Sequence, residues 1–161
     1  TFSAQLAAFL GLPFAFAGHF APQELRQAVS LYRERFRPSG RLEKPYTMIG
    51  LPIIAAATDE EAQFLATTPA LKFLQLIRGE SFLLSPPVEN MDDIWTAEER
   101  LLVSTKLALG IVGSPETVAR GLAAFLEETK ADEIMINSDT YDHAHRLRSY
   151  EIVSEIMKRM N

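Results

Sequence analysis

The stretch Gly11-Leu-Pro-Phe-Ala-Phe-Ala-Gly-His-Phe-Ala-Pro22 decides the predicted fold. Its apolar run, residues 13–17, is too short for a helix and has glycines on both sides. This pattern is typical of a strand that is covered on both faces, as in a parallel sheet flanked by helices. Residues 3–10 predict a helix that ends at Gly11, and Pro22 opens another, where a proline loses no hydrogen bond. The loop Gly18-His19-Phe20 therefore follows a buried strand, which is where functional residues are concentrated in such units.

The rest of the chain continues the alternation of strands and helices. Two further substantial strands are predicted at residues 46–57 and 133–137, and residues 109–112 are short and extended. Amphipathic or capped segments predict helices at residues 22–36, 58–78 with a break at Pro69, 96–108, 114–130 and 143–159. The α/β class with a parallel sheet follows from this order.

Composition limits the kinds of function. The 161 residues are 47% hydrophobic, which suits one domain with a core. The formal net charge of −5 and the absence of a basic run argue against a nucleic-acid partner. No apolar run approaches the ~20 residues of a membrane span. Because the sequence has no cysteine, it favours a reducing compartment, and we expect a cytoplasmic protein. The chain begins at Thr1 without a methionine, so we expect that an upstream part has been lost.

The histidines offer one candidate for chemistry. His143 and His145 are two positions apart on a helix, hence ~200° apart around its axis, and cannot share one metal ion. His19, in the loop after the first strand, is the stronger candidate. The alternative, a histidine that stiffens the loop through a backbone hydrogen bond, is open. No nucleophile elbow is present, and no carboxylates are paired on a shared, apolar-flanked element, so the catalytic residues are unknown. The three acids at residues 59–61 are explained by a helix cap, so no metal site is predicted.

Two predicted helix starts suit a phosphate group. Ser114 follows Gly113 at one of them, but the segment lacks the lysine and spacing of a P-loop, which favours an ordinary helix cap. Ser3 lies at the other, beside free backbone N–H groups at the positive end of the helix dipole. From the sequence alone, Ser3 is either a cap or a phosphate contact.

Several segments resemble one family. The chain is similar to the second half of a luciferase-like, flavin-dependent monooxygenase. The resemblance covers nearly the whole chain in family order, through the segments Ser3-Ala-Gln-Leu-Ala-Ala8, Leu10-Gly-Leu-Pro-Phe-Ala-Phe-Ala17, His19-Phe-Ala-Pro22, Gly113-Ser-Pro-Glu-Thr117 and Tyr141-Asp-His-Ala-His-Arg-Leu-Arg-Ser-Tyr150.

The resemblance implies a fold and a cofactor. It implies the C-terminal part of a (β/α)8 TIM barrel, with about three parallel strands and outer helices, from the helix after strand five to the final helix. Residues 1–161 would form one partial domain, with a possible lid or insertion at 79–95. The implied activity is FMN-dependent oxidation of a small organic substrate, as one of paired donors, with molecular oxygen. A complete barrel takes ~250 residues, so about the first half, with the expected catalytic residues, is absent.

The resemblance also implies a binding set. Ser3, with Thr1 and neighbouring amides, would hold the FMN phosphate, and Gly18, His19 and the loop at residues 138–141 would lie on the rim. A second hypothesis is a shortened, non-enzymatic module that binds flavin phosphate or another subunit. Because an incomplete barrel leaves an open sheet face, we expect Phe14, Phe16, Ile53 and Ile134 to be partly exposed there. The chain would then form a homo-oligomer or pair with the missing N-terminal half.

Overall fold

The computed structural model describes residues 2–81 and 83–160, so the predicted cofactor residue Thr1 lies outside the described residues. Six helices and four strands alternate along these residues. The elements are α1 (Phe2–Leu10), β1 (Phe14–Phe16), a 3-10 turn (Pro22–Glu24), α2 (Leu25–Arg35), β2 (Thr47–Ala55), α3 (Asp59–Ile77), α4 (Ala97–Leu107), β3 (Ile111–Gly113), α5 (Pro115–Thr129), β4 (Glu133–Asn137) and α6 (His143–Met160).

All the other strands pair with β2, and all of them run parallel to it. β1 pairs with residues 47–49 of β2, β4 with 48–52, and β3 with 53–55. The predicted α/β class with parallel strands and helices is therefore confirmed. The segment predicted as short and extended supplies the fourth strand, β3.

One face of the sheet packs against α2, α5 and α6. Because side chains alternate along a strand, Ile49, Leu51 and Ile53 point to the same face. All three are fully buried there, in a cluster completed by Leu25, Val29, Ala55, Val118, Leu122, Phe125, Ile152, Val153 and Ile156. Ala4 and Ala8 of α1 pack beside this core, against Phe14, Ala28 and Tyr32.

The four residues expected on the open face of the sheet lie on its other face. Phe14 and Ile53 are only 6% and 0% exposed, whereas Phe16 and Ile134 are partly exposed, as expected, but pack against the buried core. All four belong to the face that is covered by helices. The opposite face carries Ala15, Met48, Gly50 and Met135 beside Glu133, through the pairs Ala15↔Met48, Met48↔Glu133 and Gly50↔Met135, and Met135 is 59% exposed. The expected association with another chain stays a prediction.

The second face is covered at its C-terminal end by α3 and α4. Ile54, Ala56 and Val112 pack against Ala62 and Leu65 of α3. α4 lies against α3 through a further cluster of Ala70, Leu74, Met91 and Val103. The sheet thus has helices on both faces where its strands end. None of the described helices is long and apolar enough to cross a membrane.

The predicted break at Pro69 does not occur, because α3 continues through it to Ile77. Thr68, Pro69 and Ala70 are all buried, so burial offsets the backbone hydrogen bond that the proline removes. Both helix starts predicted from capping boxes are observed. Thr96 and Glu99 form the complete reciprocal box at α4. At α3, Thr58 accepts from the Glu61 N–H, while the Glu61 carboxylate accepts from the N–H of the preceding Ala57.

Candidate functional site

A cavity of about 300 Å³ lies at the C-terminal ends of the strands, between the sheet and the α3–α4 pair. Its position follows from the register, because Pro52, Ile54 and Val112 share the face that α3 covers. In parallel α/β sheets, ligands bind at this end of the strands. The lining residues come from four strands or their loops and from both helices: His19, Phe20, Pro52, Ile54, Ala66, Pro69, Lys72, Phe73, Lys106, Leu107, Gly110, Val112, Asn137 and Asp139.

His19 is held in this cavity by its neighbours. A Cβ atom placed on Gly50 would lie 2.9 Å from His19 Nδ1, so the imidazole rests directly on the backbone of β2. Its ring centroid is 4.3 Å from that of Phe20. Nδ1 is buried and has no hydrogen-bond partner among the residues that the structure describes. This atom therefore does not make the backbone hydrogen bond of the loop-stiffening alternative.

Gly18 has a packing role beside His19. A Cβ atom on Gly18 would lie 2.5 Å from Leu109 Cδ2 and 2.6 Å from the Gly50 carbonyl oxygen. No side chain fits into that space. Gly18 is buried and does not line the cavity. It can therefore affect the site only by positioning the loop that carries His19.

Polar residues line the cavity together with His19; of these, Asp139 lies in the loop that was expected on the rim, whereas Asn137, Lys72 and Lys106 were not predicted from the sequence. Asn137 ends β4, and its buried Oδ1 has no hydrogen-bond partner within residues 2–81 and 83–160. Two residues later, the Asp139 carboxylate pairs with Lys72 of α3 at 2.7 Å. Lys106 of α4 lines the same cavity. The sequence could have indicated Asn137 as a site residue, because it ends a predicted strand and the C-terminal ends of parallel strands meet at one edge of the sheet.

A side chain of the protein itself occupies the anion position at the start of α5. The ordinary cap is present, since Ser114 Oγ accepts from the Thr117 N–H at 3.4 Å. In addition, the Asp59 carboxylate accepts from the Ser114 N–H at 2.6 Å and from the Thr117 hydroxyl at 3.1 Å. These hydrogen bonds lower the pKa of Asp59 below its ordinary value. An aspartate thus occupies the anion position of this helix.

Ser3 lies at the other helix start. It is the second residue of α1 and is exposed, so it lies inside the first turn rather than before it. Because α1 ends where β1 begins, its first turn points toward the end of the sheet that carries His19. Ser3 does not line the cavity. Its proposed phosphate contact would therefore lie outside the cavity wall.

The remaining histidines lie away from the cavity lining. His143 is the first residue of α6, and His145 Nδ1 lies 3.8 Å from the Glu61 carboxylate. Within the described part of the chain, no group of three metal-binding side chains is present.

A family model described as luciferase-like monooxygenase matches residues 1–133. The chain belongs to this family. The luciferase-like chain is 52% identical over 157 residues to YvbT of Bacillus subtilis (strain 168). It is 48% identical over 159 residues to a protein named luciferase-like monooxygenase of Escherichia coli (strain K12). These alignments cover 98% and 99% of this chain but 47% and 48% of the relatives. The chain thus spans about half the length of the curated relatives it matches.

Solved structures agree with the family assignment. The crystal structure of apo-MsnO8 superposes with a TM-score of 0.77 at 29% identity, over 96% of this chain and 47% of that one. The long-chain alkane monooxygenase LadA gives a TM-score of 0.60 at 19% identity, over 97% of this chain and 38% of its own. At that identity the likeness shows the fold alone. The predicted relationship to part of a luciferase-like barrel is confirmed.

Proposed function

We propose that this chain is the C-terminal part of an FMN-dependent monooxygenase or oxidoreductase that acts on a small organic substrate with molecular oxygen. The observation that carries the proposal is the cavity at the C-terminal strand ends, with two buried polar atoms that lack hydrogen-bond partners among the described residues. A buried polar atom without a partner is costly, so such atoms point to a ligand. Family membership gives the class of chemistry.

The residues of the cavity fit part of a flavin. A flavin ring system needs flat apolar contacts and a few polar groups at its edge. Pro52, Ile54 and Val112 supply apolar walls, while His19 Nδ1 and Asn137 Oδ1 supply two hydrogen-bonding atoms. A volume of about 300 Å³ lies at the lower end of the range for ligand pockets, ~300–1,000 Å³. It therefore suits one part of the cofactor or the substrate next to it, with the rest of the site supplied by another half-barrel.

The phosphate end is assigned to α1. Of the two helix starts that suit an anion, that of α5 already holds the Asp59 carboxylate. The first turn of α1, with Ser3, remains available and faces the same end of the sheet as His19. When bound, FMN would supply the redox and oxygen chemistry. Here, His19 would position the ring edge, and Phe20 and Phe73 would help to exclude water from the cavity.

A chimera tests this function. The N-terminal half of the E. coli relative, joined to this chain, restores a full-length protein around the cavity. We expect micromolar FMN binding, measured by flavin fluorescence, and oxygen transfer to at least one member of a panel of aldehydes, alkanes and sulfonates, followed by mass spectrometry. His19→Ala should weaken FMN binding or turnover about tenfold, as loss of one hydrogen bond and its packing would.

The matched control is His145→Ala, because His145 lies outside the cavity lining. It should leave both readouts unchanged. A folded chimera that binds FMN without any oxygen transfer would favour the non-enzymatic module. A folded chimera that does not bind FMN would contradict the proposal.

A further inference from the structure

The cavity has one end that is chemically unlike the rest. Its sheet side is formed by apolar residues, whereas its rim carries Lys72, Lys106 and Asp139. Two lysines and one aspartate leave the cavity with one more positive than negative charge, apart from His19. The whole chain has a formal net charge of −5. The cavity is thus a locally positive site on an acidic protein.

The two lysines differ in their partners. Lys72 Nζ is 2.7 Å from Asp139 Oδ2, and both side chains are about one-third exposed, at 30% and 34%. Lys106 is exposed in the last turn of α4 and makes no ion pair with any residue that the structure describes. Its ammonium group is therefore free to meet an anion at the cavity mouth. Lys72 can be shared between such an anion and Asp139.

We propose that the cavity binds an apolar organic molecule that carries one acidic group. Its hydrocarbon part lies against Ile54, Phe73 and Val112, and its anionic end lies at Lys106 and the Lys72–Asp139 pair. Charge-assisted hydrogen bonds from the lysines orient the molecule, while burial of the hydrocarbon supplies most of the affinity. The assignment of this molecule as the substrate rests on the proposed flavin-dependent function, but its binding does not require flavin.

Three ligands of equal chain length test the charge preference: octanoate, octanol and octylamine. Each is titrated into the 161-residue chain by isothermal calorimetry. We expect octanoate to bind about tenfold more tightly than octanol, the effect of one charge-assisted contact, and octylamine to bind most weakly. Equal or tighter binding of octanol, or no binding of any of the three, overturns the proposal.

Variants locate the anionic end. Lys106→Met should abolish the preference of octanoate over octanol, whereas Lys158→Met, on the exposed end of α6, should preserve it. Asp139→Asn removes the carboxylate that competes for Lys72, so it should raise octanoate affinity several-fold without changing that of octanol. Circular dichroism and the melting temperature of each variant check that it is folded. Equal losses in the Lys106 and Lys158 variants would indicate general electrostatics and contradict the proposal.

The phosphate of FMN is a second anion that could bind at the two lysines. Competition experiments separate the two sources. If inorganic phosphate and FMN displace octanoate and riboflavin does not, the lysines hold the cofactor phosphate and the substrate assignment is wrong. If octanoate selectivity holds and the chimera fails to bind FMN, the proposed function fails while the acid-binding site stands.

Discussion

The carboxylate of Asp59, the first residue of α3, lies 2.6 Å from the backbone nitrogen of Ser114, the residue that caps α5. Its second oxygen accepts from the Thr117 hydroxyl. One side chain therefore joins the starts of two helices that lie on opposite faces of the sheet. A Cβ atom on Gly113 would lie 2.6 Å from Asp59 Oδ1, so this junction also requires glycine there. The contact fixes the start of α3, the helix that forms one wall of the cavity.

We expect Asp59→Asn to destabilise the protein at neutral pH and to flatten part of its pH dependence. The folded-state pKa of Asp59 is lowered by hydrogen bonds from Ser114 and Thr117. A lowered pKa stabilises the folded state above the ordinary value of 3.8, and this contribution is lost as pH falls through the folded-state pKa. Urea unfolding from pH 7 down to pH 3 measures it. The exposed Glu155→Gln on α6 is the control, and parallel curves for wild type and Asp59→Asn contradict the assignment.

A second carboxylate titrates far below its usual range. Hydrogen bonds from Arg78 and from the Thr96 backbone lower the pKa of Glu99 to about 2. Carboxyl NMR should report this value in wild type. In Arg78→Met, the pKa should rise toward the ordinary 4.5, because the bonds at 2.8 and 3.0 Å are lost. An unchanged pKa in this variant would show that the ion pair is absent in solution.

The capping box itself predicts a stability change. Thr96→Ala removes the hydroxyl that accepts from the Glu99 N–H, so the free energy of unfolding should fall by about 1 kcal/mol. Thr105→Ala, also on α4, is the control, because within the described chain its exposed hydroxyl bonds only to the Leu101 carbonyl of the same helix. Equal urea midpoints for the two variants would contradict the capping role.

Gly18 is closely packed next to His19, so a larger residue there should destabilise the protein. Gly18→Ala places a methyl group against Leu109 and the Gly50 carbonyl and should cost ~1–3 kcal/mol of stability. Gly40→Ala is the matched control, because a Cβ atom there has nothing within 4 Å, and it should change stability by less than ~0.5 kcal/mol. Thermal unfolding of both variants compares them. Similar melting temperatures would mean that the loop shifts without cost.

These contacts mark the limit of what the sequence predicts. The elements followed from apolar runs, caps and glycines, and β4 was predicted with the bounds that it has, Glu133–Asn137. The sequence did not predict which face of the sheet each side chain points to, because Thr47–Ala55 is apolar almost throughout and does not alternate between apolar and polar residues. The partner of Asp59 is 55 positions away, and the Lys72–Asp139 pair spans 67. Such pairs depend on the packing of whole helices rather than on local patterns.

We expect the 161-residue chain alone to bind FMN only near millimolar affinity, without flavin-dependent oxygenation. Ser3 and adjacent amides reach only the phosphate, and such contacts contribute ~1.5–3 kcal/mol each before ordering costs. In the chimera, Ser3→Ala should weaken FMN more than riboflavin, which lacks the phosphate, while Ser30→Ala should affect neither. Flavin fluorescence titration measures both. Micromolar binding with turnover by the chain alone would mean that the flavin ring is held by this half.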